Sequence, residues 1–145
     1  MLKNIAPLLS ADLLYHLRAM GHGDEMVIVD AHFPAASMAQ RHIALPGNDA
    51  TTVLDAVLSV LPLDQYVSCP AHRMQVVDHP EQQPQICCEF SQLLNFHEGR
   101  DIALEQIERF AFYERVKQAY LVVSSSEMRL YGNIILKKGV LGDAS

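Results

Sequence analysis

The sequence contains few cysteines, and their spacing argues against a covalent or metal-based framework. There are three, Cys69, Cys87 and Cys88. The number is odd, two of them are adjacent, and no Cys-x-x-Cys pair occurs, so neither a disulfide framework nor a zinc knuckle is expected. The pattern is typical of a cytoplasmic protein whose thiols stay reduced.

A long apolar run and an excess of positive charge are also missing. No segment approaches the roughly 18 to 20 apolar residues that a helix needs to cross a bilayer. Asp12, His16 and Arg18 interrupt the apolar residues near the start, so we expect no signal peptide there. The formal net charge of −6 argues against nucleic acid and anionic membranes as partners, because both bind cationic surfaces.

The common cofactor and hydrolase motifs are absent as well. We find no Gly-x-Gly-x-x-Gly, no phosphate-binding loop, no Gly-x-Ser-x-Gly and no His-Glu-x-x-His. Dinucleotide, nucleoside triphosphate, serine-hydrolase and zincin functions therefore have no anchor in this chain. We expect a site that works without a cofactor.

What is present is a chain of 145 residues, half of them hydrophobic, which is enough for one domain with a proper core. Apolar periodicity predicts helices and strands in alternation. The predicted helices span residues 10–20, 49–61, 85–96 and 107–119, and the predicted strands span 26–29, 41–45, 72–77, 119–123 and 130–136. The sequence thus predicts an α/β fold, a single layered domain over residues 1–145 with a largely parallel central sheet flanked by helices.

Polar residues surround the most apolar predicted strand. Residues 26–29 form a continuous apolar run, typical of a strand buried on both faces. Gly21 and Gly23 flank His22 before this strand and tolerate positive φ, so the imidazole can lie at a tight bend. Asp30 follows the strand, where ligands of open α/β sheets bind. We therefore expect a site in which His22 faces Asp30.

Two later stretches add groups that suit the same chemistry. Arg109 lies in the predicted helix of residues 107–119, and Tyr131-Gly132-Asn133 lies near the start of the predicted strand of residues 130–136. Gly132 either lets the backbone approach a ligand closely or marks an ordinary turn or bulge before an edge strand. Tyr113 and Tyr120 are further candidates that we expect to pack. Carboxylate, guanidinium, phenol and amide groups bind hydroxyls and histidine moves protons near neutrality, which favours proton transfer on an uncharged, polyhydroxylated ligand.

Five stretches of the chain, in this order, carry a resemblance to a known family. They are Leu2-Lys3-x-Ile5 with Pro7-Leu8-Leu9-Ser10, Met20-Gly21-His22-Gly23-Asp24-Glu25, Asp30-Ala31-His32-Phe33-Pro34, Arg109-Phe110-Ala111-Phe112-Tyr113-Glu114-Arg115 and Tyr131-Gly132-Asn133-Ile134-Ile135-Leu136-Lys137-Lys138-Gly139. Together they resemble the L-fucose mutarotase / D-ribose pyranase family. The last two are similar to its fucose branch, and the ribose branch lacks the stretch that begins at Arg109. The likeness is dense at both ends of the chain and thin between Pro62 and Gln106.

The resemblance implies an activity and a set of site residues. His22 matches the family's proton donor, Asp30 and Arg109 match positions that bind the sugar, and Tyr131-Gly132-Asn133 matches its C-terminal sugar-binding stretch. The implied reaction interconverts the α and β anomers of a monosaccharide, L-fucose in the fucose branch, by general acid/base ring opening with no cofactor and no metal. The resemblance also implies a ring-shaped homo-oligomer, commonly a decamer, with sites near subunit boundaries.

Other functions stay open at this point. The substrate could be D-ribose or another monosaccharide. A non-catalytic sugar-binding module would use the same hydroxyl-binding groups, although a histidine between glycines favours catalysis. A metal-dependent hydrolase or isomerase could use His22, Asp30 and His32 as ligands, but three ligands so close to one strand would need a contorted backbone.

Overall fold

A computed structural model describes residues 1–142, so the last three residues of the predicted domain lie outside the described part. In that part, one six-stranded sheet is flanked by helices. The strands are β1 (Glu25–Val29), β2 (His42–Ala44), β3 (Ala71–Met74), β4 (Leu104–Ile107), β5 (Leu121–Ser124) and β6 (Ile134–Lys137). The helices are α1 (Ala11–Ala19), α2 (Ala35–Met38), α3 (Ala50–Leu58), α4 (Gln85–Glu98) and α5 (Arg109–Gln118). None of these helices is both long and apolar enough to cross a bilayer.

The strand order determines which loops meet. The order is β2-β5-β1-β6-β3-β4. Strand β6 runs antiparallel to both of its neighbours, β1 and β3, while the other three pairings are parallel. The predicted α/β fold with a largely parallel sheet is confirmed. Because β6 is reversed, the segment just before it meets the segments just after β1 and β3 at one edge of the sheet.

The central strand β1 is buried on both faces, as its apolar run predicts. Met26 and Ile28 pack into a core formed with α1, α3 and α4. Val27 and Val29 point to the opposite face and pack against Phe112 of α5. Full burial of each such side chain stabilises the fold by roughly 1.5 to 3 kcal/mol. Packing on both faces therefore fixes the position of β1, and this also fixes the position of Asp30, which follows it.

Helix ends follow local rules that the sequence displays. The Oγ of Ser10 accepts a hydrogen bond from the N–H of Leu13 at 3.2 Å and caps α1. Asp49 caps α3 in the same way, accepting from the N–H of Thr52 at 2.8 Å. Gly99, with φ of +68°, ends α4 in the left-handed conformation that glycine adopts without steric strain.

Some elements differ from the prediction. Strand β4 and the one-turn helix α2, which follows Pro34, lie in stretches to which no element was assigned. The last strand begins at Ile134 rather than at residue 130, because Tyr131 has a φ of +66°, outside the extended region. Strand β4 forms through pairing with β3, a long-range contact that no local pattern encodes.

Candidate active site

A pocket of about 200 Å³ lies where β1 and β3 end and β6 begins. Its polar wall consists of Asp30, His32, Arg109, Tyr113, Tyr131 and Asn133. Its apolar wall consists of Phe33, Pro34, Met74, Val77 and Leu130. Four of the predicted site residues, Asp30, Arg109, Tyr131 and Asn133, thus converge although more than 100 residues of sequence separate the first from the last.

Asp30 and Asn133 form the floor of this pocket. Both are buried, at 5% and 3% exposure. The side-chain carbonyl of Asn133 accepts the backbone N–H of Asp30 at 2.9 Å, so its amino group is the part that remains for a ligand. The Oδ1 of Asp30 accepts the N–H of His32 at 3.0 Å, which leaves the second carboxylate oxygen for a ligand hydroxyl.

Tyr131 presents its hydroxyl group as a donor. The phenol oxygen accepts the backbone N–H of Val77 at 3.1 Å, which orients the hydroxyl and leaves its own proton to donate. The left-handed backbone of Tyr131 is strained for a non-glycine residue, and strain of this kind is often found at functional sites. The chain reverses here so that Tyr131 and Asn133 both reach the pocket.

Gly132, between them, does not line the pocket. A Cβ atom at this position would lie 2.9 Å from Cδ1 of Ile86 and 3.0 Å from Cγ of Glu127. A larger residue here would require the side chains of Ile86 and Glu127 to shift, so glycine lets the segment pack closely against α4 and the preceding loop. A part in sugar binding would have to come from its backbone, and that part stays a prediction.

Arg109 reaches the pocket from the first position of α5. The carboxylate of Glu108 caps this helix by accepting from Phe110 N–H at 2.9 Å, and Arg109 follows the cap directly. Its guanidinium lies over the Phe110 ring at 4.7 Å. The Nε of Arg109 is buried without a hydrogen-bond partner among the described residues. A buried N–H of this kind needs an acceptor, which water or a ligand in the pocket can supply.

The two further candidate tyrosines, Tyr113 and Tyr120, lie in different parts of the structure. Tyr113 lines the pocket and packs edge-on against Phe33, with ring centroids 5.6 Å apart. Tyr120 lies elsewhere, its hydroxyl 3.0 Å from Nδ1 of His16. Arg109 and Tyr113 are four residues apart and therefore lie on one face of α5. This spacing was a sequence signal that favoured Tyr113 over Tyr120 as a site residue.

His22 lies at the other end of β1. Its Nε2 is 3.0 Å from Oδ1 of Asp64, and its side chain is 44% exposed. The His22 and Tyr66 rings are 5.4 Å apart. Gly23 adopts a φ of +88°, as its place beside His22 suggested, whereas Gly21 does not need a positive φ. The imidazole is thus held against a carboxylate and is open to solvent.

Asp64, which the sequence did not single out, orders this histidine. Its side chain is buried, and Oδ1 also accepts the N–H of Tyr66 at 3.0 Å. Burial alone would raise the pKa of Asp64, but the hydrogen bonds from Tyr66 and His22 outweigh it and hold the pKa below its usual value. The carboxylate is therefore charged near neutrality and can stabilise a protonated imidazole.

Within one chain, His22 does not face Asp30 as expected. The five residues of β1 lie between them, and a strand rises about 3.3 Å per residue. For the same reason His22 cannot join Asp30 and His32 as ligands of one metal ion in a single chain. The pocket of a single chain therefore contains one imidazole, that of His32, and lacks the imidazole of His22.

Comparisons with known proteins identify the family. The chain matches the RbsD / FucU transport protein family over residues 3–141. It is 46% identical to the fucose mutarotase of Homo sapiens over 97% of this chain and 94% of that protein. It is 43% identical to the L-fucose mutarotase of Actinobacillus pleuropneumoniae over 97% of both chains. The fold also matches the crystal structure of the fucose mutarotase of Streptococcus pneumoniae in complex with L-fucose, with a TM-score of 0.88 and 42% identity over 97% of this chain and all of that one. The chain belongs to the RbsD / FucU family.

Proposed function

We propose that this chain, as one domain of residues 1–145, is a fucose mutarotase that interconverts the α and β anomers of L-fucose without a cofactor. The observation that carries the proposal is the convergence of Asp30, Arg109, Tyr131 and Asn133 on one small pocket. Full-length relatives at 43–46% identity with this activity in their names support it.

The reaction needs two proton transfers. A base removes the proton of the anomeric hydroxyl while an acid protonates the ring oxygen, so that the ring opens to the aldehyde. Rotation about one C–C bond and closure on the other face give the other anomer. Positioned acid and base groups contribute roughly 100- to 10,000-fold to such a step.

The pocket supplies the groups that hold the sugar. In our proposal the free oxygen of Asp30 accepts from a ring hydroxyl, while the Asn133 amino group and the Tyr131 hydroxyl donate to others. Arg109 donates from its fork of N–H groups, which suits two neighbouring oxygens. Tyr113 is close enough to the same space to share in the transfer of a proton.

The apolar wall favours a deoxy sugar. L-Fucose carries a methyl group where a hexose carries a hydroxymethyl group, and a methyl is best placed against apolar side chains. Phe33, Met74 and Leu130 offer such a surface beside the polar floor. Ribose has no methyl group to fill it, which supports fucose over ribose as the substrate.

We further propose that His22 acts in the pocket of a neighbouring copy. Tyr66, an exposed side chain, lies beside His22 with the two rings 5.4 Å apart, and Leu130, also exposed, lines the pocket. A head-to-tail contact between two different surfaces repeats around a ring, so a ring-shaped homo-oligomer such as a decamer follows if these surfaces meet. Each pocket would then receive a histidine that is already held by a buried carboxylate.

A cytoplasmic location is part of the proposal. Cys69, Cys87 and Cys88 are all free, and free thiols persist in reducing compartments.

Anomer exchange followed by saturation-transfer NMR tests the activity. We expect wild type to accelerate exchange of α- and β-L-fucose more than that of D-ribose or D-galactose, and to do so in the presence of chelator. His22→Ala should abolish the acceleration while the fold stays intact. Binding of fucose without any acceleration by wild type would leave a binding module and overturn the mutarotase proposal.

Complementation tests the shared site. His22→Ala and Asp30→Asn should each be inactive alone. In random co-assemblies, about a quarter of the sites would pair an intact His22 with an intact Asp30 across the interface, and activity should return. A co-assembly of His22→Ala with His22→Gln is the matched control and should stay inactive. An active wild type with no recovery in the first mixture would overturn the shared site alone.

A further inference from the structure

A second group of reactive side chains lies outside the sugar pocket, at the start of β3 and β4. Three potential ligand atoms lie within 4.8 Å of one another: the sulfur of Cys69, a ring nitrogen of His72 and a carboxylate oxygen of Glu105. The proposed mutarotase reaction uses none of them. Thiolate, imidazole and carboxylate are the three ligand types that Zn²⁺ takes in proteins.

The sheet brings two of these ligands together. His72 and Glu105 are direct partners in the parallel pairing of β3 and β4, so their side chains leave the same face of the sheet. Backbone pairing keeps such partners about 5 Å apart. The spacing between the His72 and Glu105 backbones is therefore set by the sheet and does not depend on flexible loops.

Backbone carbonyls hold the third ligand beside them. The Cys69 thiol lies 2.9 Å from the carbonyl oxygen of Ala71 and 3.3 Å from that of Ala103. Ala71 is the first residue of β3, and Ala103 immediately precedes β4. The single S–H of Cys69 can donate a hydrogen bond to only one of the two carbonyl oxygens at a time. Both carbonyl groups nevertheless contact the sulfur and position it beside the other two ligands.

The positive charges near His72 are partly neutralised by one carboxylate. Arg115 and Lys137 act on His72 as nearby positive charges. Both pair with the carboxylate of Glu25, Arg115 closely and Lys137 with its Nζ at 3.9 Å. The Cys69 thiolate and the Glu105 carboxylate would add two negative charges, which match one divalent ion.

We propose that Cys69, His72 and Glu105 bind one borderline-soft divalent metal ion of the Zn²⁺ class. The thiol releases its proton to solvent as the metal–sulfur bond forms, and imidazole and carboxylate each give one lone pair. Zinc bonds of about 2.0 to 2.3 Å need the ligand atoms to draw together by about an ångström, a movement available to the exposed Glu105 side chain. Three protein ligands leave the fourth position of a tetrahedral ion open to water or another ligand.

The proposal is independent of the sugar reaction, which needs no metal. Removing the ion should leave fucose exchange unchanged. Failure of either proposal therefore leaves the other standing.

Cobalt titration of the full-length, chelator-treated protein tests the site, because thiolate-bound tetrahedral Co²⁺ absorbs strongly in the near ultraviolet and visible. We expect one equivalent to bind with a sulfur-to-cobalt band and to be displaced by Zn²⁺. Cys69→Ser should abolish the band. His72→Ala and Glu105→Gln should each weaken binding at least about tenfold, since loss of a supporting partner alone has effects of that size.

Cys88→Ser is the matched control, because it removes a half-buried thiol on α4 that is not part of the cluster. It should keep both the band and the affinity. Thermal unfolding of each variant checks the fold, and Glu105→Gln changes an exposed side chain that the fold does not need. Absence of the band in wild type, or a band that survives Cys69→Ser, would overturn the site.

Discussion

The backbone N–H of Asp30 donates to the side-chain oxygen of Asn133 at 2.9 Å, across 103 residues of sequence. This bond links the end of β1 to the start of β6 and places a carboxylate next to an amide in the floor of the pocket. It also determines which end of the Asn133 amide faces a ligand. The fold and the site thus depend on the same contact.

Replacing Asn133 separates these two roles. Asn133→Asp keeps the shape and the acceptor for the Asp30 N–H, but removes the amino donor and sets a second buried carboxylate beside the first. We expect fucose exchange to fall by about 100-fold or more, since catalytic donors have effects of this size. Asn133→Ala should in addition lower the free energy of unfolding by about 1 to 3 kcal/mol, because it leaves a buried N–H without a partner. Urea unfolding measures the free energy of unfolding, and NMR measures the rate of fucose exchange. Full activity of Asn133→Asp would show that the Asn133 amide has no part in the reaction.

Tyr131→Phe removes only the hydroxyl group. Val77, whose N–H donates to it, is partly exposed, so water can replace the phenol and stability should change by less than about 1 kcal/mol. Fucose affinity should fall. Tyr120→Phe is the control, because that hydroxyl contacts His16 outside the pocket and its loss should leave sugar binding unchanged. Equal effects of the two substitutions would contradict a role for Tyr131.

Arg109→Lys keeps the charge but loses the planar fork of donors. The buried Nε of Arg109 has no acceptor in the described chain, and we expect a sugar oxygen to fill that place. A lysine cannot reproduce two parallel donors, so the affinity for fucose should fall. Calorimetric titration with L-fucose checks this, and unchanged affinity would discard the role.

Much of this site was predictable because its residues follow local rules. The apolar run of residues 26–29 predicts a strand buried on both faces, and Asp30 follows it directly. The conformation of Tyr131 and the reversed direction of β6 were not predictable, because they depend on pairing between distant segments. The separation of His22 from Asp30 within one chain follows from the length of the strand between them, so the expectation that the two face each other was wrong for a single chain.

Glu127 should position the pocket loop. Its buried carboxylate accepts from the backbone N–H and the guanidinium of Arg129, just before Tyr131. Burial alone would raise the pKa of Glu127, but these bonds outweigh it and lower the pKa. Glu127→Gln should raise KM for fucose several-fold and reduce stability by about 1 kcal/mol, discounted because Arg129 is exposed.

Glu89→Gln is the matched control for Glu127, since Glu89 pairs with the same Arg129 from α4 but lies at the surface. A surface pair contributes little, so its loss should leave KM unchanged. If both substitutions raise KM equally, Arg129 rather than the buried carboxylate positions the loop.

Asp64 should make stability depend on pH. The pKa of this buried carboxyl is lower in the folded protein than in the unfolded chain, so its contribution is fully present above the unfolded pKa of about 3.9. That contribution is lost as pH falls through the folded pKa, because protonation then removes the charge that the N–H of Tyr66 and His22 stabilise. Asp64→Asn removes the charge at every pH, so it should be less stable than wild type by about 1 to 3 kcal/mol at pH 7. The difference should shrink as pH falls below about 4. Urea unfolding from pH 7 to pH 2.5 measures it, with the exposed Asp101→Asn as a control that should show no such convergence, and a gap that stays constant with pH would contradict a charged Asp64 beneath His22.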